Sequence, residues 1–176
     1  MADPFETLGV DARFDLDLPA LAQRHRDLSR ALHPDRYTAA PAAERRMALG
    51  RAIDVNEAYR ALRDPIRRAE ALLRHAGAAV GETSEPKPPA ALLMEMMDVR
   101  EELSDAARAR DLGRVGKLAA GMRTREEDTL RRLGAAFDAA GGDAAKHAEI
   151  LPVLGELRYI RRFLDEVNAI EEELAP

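Results

Sequence analysis

The residues best placed to do chemistry stand together in "ALHPDRYTAAP", where His33, Pro34 and Asp35 form a row. A histidine beside a carboxylate can work as a general base or contribute to a metal site. Both roles need company. General-base work needs a nucleophile and a pocket, and no Ser or Cys motif accompanies this pair. Metal binding needs more ligands than two. The other histidines, His25, His75 and His147, are scattered along the chain and read as packing or surface residues. A third option is a turn, in which Pro34 breaks a helix and the flanking polar side chains decorate the bend. No catalytic residue, metal or cofactor is expected from these groups.

The chain is 176 residues long, enough for one domain or two small ones. Charged residues make up 34% and apolar residues 46%, while aromatics reach only 4% with no tryptophan. An Ala-, Leu-, Arg- and Glu-rich mixture of this kind favours helices over sheets. The net charge of −5 lacks the basic footprint of a general nucleic-acid binder. Without cysteine there can be no disulfide, no thiolate nucleophile and no Cys-based metal site. The opening "MADPFETLGV" lacks the basic head and apolar core of a signal peptide, and no apolar run is long enough for a bilayer. A cytoplasmic protein with neither a membrane nor a nucleic-acid partner is expected.

Helices must position the triplet. "DPFETLGV" reads as a short one, capped by Asp3, begun by Pro4 and stopped by Gly9. A second spans about residues 18–32, with Leu18, Leu21, His25, Leu28 and Leu32 on one face and Arg26 and Arg30 nearly opposite. A third spans about 42–62 with a stripe of Ala48, Ala52, Val55, Tyr59 and Leu62. Facing stripes across a short polar loop predict an antiparallel hairpin, with the His-Pro-Asp segment exposed at its tip. "RDPIRRAEALLRHAG" restarts a helix at Asp64-Pro65 and stops it at Gly77. The Pro- and Gly-rich "GAAVGETSEPKPPA" then interrupts the chain. Three longer helices follow, at about 90–109, 112–140 and 144–174. Their stripes run through Leu92, Met96, Val99 and Leu103, then Val115, Leu118, Met122, Thr129, Leu133 and Phe137, then Val153, Leu157, Ile160, Leu164, Val167 and Leu174. One stripe per helix predicts a three-helix bundle.

In this setting the triplet resembles the motif of the J-domain family, which holds His-Pro-Asp between two antiparallel helices. "HRDLSRALHPDRY", "RAIDVNEAYRALRDP" and "DPFETLGV" are similar to the family's pattern, over roughly residues 3–70. The departures are Asp27, where a lysine is common, and Leu32, where an aromatic is common. The resemblance implies docking on a 70-kDa heat-shock chaperone and stimulation of that partner's ATPase, with no chemistry done by the chain itself. Its chaperone-binding residues would be His33, Pro34 and Asp35 with Arg24, Arg26, Arg30 and Arg36. The Gly/Phe-rich or CxxCxGxG regions of general J-proteins do not follow.

Instead "DPIRRAEALLRHAG", "ALLMEMMDVREELSDA" and "LRYIRRFLDEVNAIEEEL" resemble the HscB family of iron–sulfur-cluster co-chaperones, in the bacterial form without a CxxC zinc module. The helix from about residue 90 carries Leu93, Met94 and Met97 beyond its core stripe, edged by Asp98, Glu101 and Asp105. The pattern alone fits either a partner face or a wide buried face. The resemblance implies the former: Leu93, Met94, Met97, Asp98, Glu101 and Asp105, with Tyr159, would bind an IscU-type scaffold. Aspartates at 98 and 105 replace the family's glutamates and shorten the reach of both charges. The implied fold is all-α, a J-domain hairpin followed by a three-helix bundle in an L-shaped two-domain arrangement. The boundaries are a J-domain over 1–76 with a connecting helix from about 64, a linker over 77–89, and a scaffold-binding bundle over 90–176. The implied function is delivery of the scaffold to an HscA-type chaperone and stimulation of its ATPase. An alternative is a J-domain co-chaperone for another client, its bundle serving that partner or self-association.

Overall fold

A computed structural model describes residues 2–78, 90–141 and 143–175. Of the expected linker, residues 79–89 lie outside the described residues. The chain divides into two compact units, Met1–Val80 and Gly81–Pro176. Every regular element among the described residues is helical.

The first unit contains α1 (Pro4–Leu8), α2 (Leu18–Ala31), a 3₁₀ turn (Pro34–Tyr37), α3 (Ala42–Arg63) and α4 (Pro65–His75). Aspartates start three of its helices, because a carboxylate satisfies amide protons that a first helical turn leaves unpaired. Asp3 accepts from Phe5 N–H at 2.8 Å, Asp17 from Ala20 N–H at 2.9 Å and Asp64 from Arg67 N–H at 2.9 Å. Gly9 ends α1 in the left-handed region at φ +63°, where a side chain would be strained. A Cβ there would also sit 3.1 Å from Nη2 of Arg24. The core gathers Phe5, Leu8, Phe14, Leu21, Val55, Leu62 and Leu73, all buried. α2 and α3 pack as the expected hairpin, and α3 also holds α1, α4 and the 3₁₀ turn. Leu18, expected in the buried stripe, is 41% exposed at the first position of α2.

The second unit contains α5 (Ala90–Arg108), α6 (Leu112–Ala140) and α7 (Ala144–Leu174), each packed on the other two. Short turns join them, so the helices run up, down and up, and α5 is parallel to α7. Leu92, Met96, Leu103, Ala106, Val115, Ala119, Met122, Ile160, Phe163, Leu164 and Val167 form one buried cluster. Val99 and Leu118, expected inside, are partly buried at its margin. Each fully buried Leu, Ile or Phe contributes about 1.5–3 kcal/mol of transfer free energy. His147, read from sequence as packing or surface, is buried.

Candidate functional site

The first candidate site is the tip of the α2–α3 hairpin. Leu32 caps α2, its N–H returning to the Leu28 carbonyl at 3.0 Å. Proline at 34 cannot continue a helix, so His33 is extended at φ −61°, ψ 132° and the chain restarts as the 3₁₀ turn. His33 caps that turn twice. Its carbonyl accepts from Arg36 N–H at 3.0 Å, and its Nδ1 accepts from Asp35 N–H at 3.4 Å. The Thr38 hydroxyl donates to the Asp35 carbonyl at 3.3 Å, and Tyr37 OH to the Ala31 carbonyl at 3.4 Å. The triplet is therefore prestructured, although every member is exposed.

Asp35 Oδ2 lies 3.4 Å from His33 Nδ1, with 84% of the Asp35 side chain exposed. An Nδ1 that accepts the Asp35 amide proton cannot also donate to the carboxylate. With the imidazole neutral, the Asp35 carboxylate thus has no hydrogen-bond donor among the described residues. No nucleophile joins the pair, and no cluster of three or more metal-ligating side chains occurs among the described residues.

The basic residues of α2 are not equivalent. Arg24 Nε donates to the Leu8 carbonyl at 3.0 Å, which ties α2 to the end of α1. Arg26 donates to Gln23 Oε1 through Nε at 3.1 Å, and Gln23 in turn donates to Asp27 at 3.0 Å. Arg30 lies 3.8 Å from Asp27, both well exposed. The departure at Asp27 therefore places a carboxylate inside the basic face, in contact with one of its cations. Arg36 is exposed beside the triplet. Behind this face His25 stacks on Tyr59 with ring centroids 4.2 Å apart, and its Nε2 meets Asn56 Oδ1 at 2.9 Å. That histidine braces the hairpin.

The second candidate site is the outer face of α5. Met94 and Met97 are 67% and 70% exposed, whereas Leu92, Met96 and Leu103 on the opposite stripe are buried. Leu93 is half-buried, and Asp98, Glu101 and Asp105 are exposed beside the methionines. Asp105 pairs with Arg108 one turn on. Tyr159 of α7 is half-buried and packs against the cluster that contains Leu92 and Met96. The arrangement is an adaptable apolar ridge with an acidic border, chemistry suited to a partner helix or loop and not to a small substrate.

Sequence reasoning missed the charged frame that holds α5 in place. Arg125 of α6 pairs with Glu95 of α5 and donates through Nε to Glu156 of α7 at 3.0 Å. Arg132 donates to the other Glu156 oxygen at 3.0 Å. Burial would push the Arg125 guanidinium down, but the two carboxylates outweigh it and hold it above its ordinary value. Glu95 is the residue beside Met94, so this frame fixes the rotation of α5 and with it the exposure of the ridge.

Comparison with known proteins decides the family. The family model described as the HSCB C-terminal oligomerisation domain matches residues 88–168. The co-chaperone protein HscB homolog of Burkholderia multivorans is 37% identical over 170 residues, covering 97% of this chain and 94% of that one. The chain belongs to the HscB co-chaperone family. The HscB homolog of Burkholderia vietnamiensis is 36% identical over the same span. Among solved structures, chaperone HscB from Vibrio cholerae matches with a TM-score of 0.84 at 27% identity, over 98% of this chain and 99% of its own. Human co-chaperone protein HscB, at 21% identity and a TM-score of 0.85, shares the fold over 96% of this chain and 82% of its own. The all-α HscB fold is thereby established for this chain, a J-domain in the first unit and a bundle in the second. No helix among the described residues is long and apolar enough to cross a membrane.

Proposed function

We propose that this HscB-family co-chaperone captures an IscU-type scaffold on the α5 face, presents it to an HscA-type 70-kDa chaperone and stimulates that chaperone's ATPase through His33-Pro34-Asp35. The carrying observation is the tip: an exposed, self-capped His-Pro-Asp turn whose Asp35 carboxylate, with the His33 imidazole neutral, has no hydrogen-bond donor among the described residues. A partner arginine supplies that donor as a charge-assisted hydrogen bond. Arg26, Arg30 and Arg36 steer encounter with an acidic chaperone surface, with Arg24 at the root of the same face. Pro34 fixes the backbone that presents the carboxylate.

At the other end of the reaction, Leu93, Met94, Met97 and Tyr159 bury scaffold surface while Asp98, Glu101 and Asp105 meet its cations. Tethering then raises the concentration of scaffold beside the chaperone's peptide site. ATP hydrolysis traps the scaffold in a form that releases its cluster. The cluster stays on the scaffold throughout, since this chain has no cysteine to ligate it. The chain is a regulator and not an enzyme, and it operates in the cytoplasm with these partners.

Titration calorimetry with a purified IscU-type scaffold tests the client. Binding that collapses in the Leu93→Ala, Met97→Ala double variant supports the reading. Absence of binding by the unaltered protein would reassign the bundle to another client.

A further inference from the structure

We infer that Arg162 of α7 is a further partner-binding residue, an anchored cation that receives an acidic side chain of the captured scaffold. The inference rests on the scaffold-binding reading of α5 and extends its surface onto α7. Tyr159, Arg162 and Glu166 recur at helical spacing along one flank of α7. Arg100 Nε meets Glu166 Oε2 at 3.3 Å, which turns that flank toward α5. Because α5 and α7 are parallel, counting back from this ion pair along both helices brings Leu93 to the level of Tyr159. Met97 falls within about a turn of Arg162. The exposed guanidinium therefore borders the apolar ridge on the side away from the acidic edge.

Two features separate Arg162 from its neighbours. Its guanidinium lies 4.8 Å from the centroid of the Tyr159 ring, and its Nε donates to the Arg158 carbonyl at 3.4 Å. The side chain is thus held in place before any partner arrives, which lowers the entropy lost on binding. Yet it has no carboxylate within ion-pair distance among the described residues. Arg100, Arg108, Arg114, Arg125, Arg132 and Arg161 each have one. An anchored fork without an acid of its own, beside an exposed ridge, is suited to recognise a carboxylate on what the ridge binds. The scaffold-binding surface then has a polarity, acids along α5 and a cation on α7, which fixes the direction in which the scaffold lies.

The test is titration of an IscU-type scaffold into the full chain and its Arg162→Lys, Arg162→Gln and Arg162→Glu variants, at low and high salt. Melting temperatures run alongside, and Leu93→Ala serves as the ridge control. The expected result at low salt is affinity falling in the order Lys, Gln, Glu, with Gln about three- to tenfold weaker than the unaltered protein. High salt narrows the differences. Loss of ring bracing alone would affect Gln and Glu equally and would not depend on salt. Equal affinity across the three variants, or a salt-independent loss, with Leu93→Ala still disrupting binding, overturns the role of Arg162 and leaves the ridge intact. No binding by the unaltered protein overturns the scaffold reading and this inference together.

Discussion

At the scale of single residues, burial separates side chains that hold the fold from those free to serve a partner. Met97 is 70% exposed and Leu103 fully buried, although both are large apolar residues of α5. Met97→Ala should leave the urea midpoint almost unchanged while weakening scaffold capture. Leu103→Ala should cost about 2–5 kcal/mol by opening a cavity. Denaturant titration of both variants checks the pair. Asp3 gives a pH-dependent case. Burial would raise its carboxyl, but hydrogen bonds from His75 and Phe5 N–H and the charge of His75 prevail, holding it below its ordinary value of 3.8. A folded-state value below the unfolded one means stability that is present above the unfolded value. That stability is lost as pH falls through the folded value. Asp3→Ala should therefore destabilise the protein by about 1 kcal/mol near neutral pH, and the difference should shrink as the medium approaches about pH 3. Urea unfolding of both proteins across that range measures it.

Elements were legible wherever a local signal set them. Asp3-Pro4 and Asp64-Pro65 mark the starts of α1 and α4, and the stripes of Val55 and Leu62 or of Leu92 and Leu103 point inward as their spacing requires. Pro34 likewise places the break between α2 and α3, which is why an exposed His-Pro-Asp could be read at all. What the spacing could not reveal depends on meetings between distant parts of the chain. Arg24 is spent on the Leu8 carbonyl, and Glu156 draws Arg125 and Arg132 together, because α-helices pack in a geometry that no single stripe encodes. Leu18 shows the converse: a stripe extends to the end of a helix, whereas its covering partner need not. α6 offers a test at this scale. Gly121 is exposed in mid-helix, and a Cβ built there meets nothing within 4 Å. Gly121→Ala should raise stability by about 0.5–1 kcal/mol, read as a higher melting temperature.

At the scale of the whole molecule, the proposed function divides between the two units. The first displays an exposed turn, proposed to take a partner's donor, and the second an exposed ridge, proposed to take a partner's surface. Under the proposed function, activity is read in the chaperone's turnover. The most direct measurement is ATP hydrolysis by an HscA-type chaperone alone, with this protein, with an IscU-type scaffold, and with both. The set is then repeated with His33→Gln, an exposed substitution that should leave the melting temperature nearly unchanged. The predicted result is stimulation that is synergistic when protein and scaffold are both present and that disappears in the variant. Turnover that stays at the chaperone's own level in every mixture, or that is equally stimulated by His33→Gln, would contradict the account.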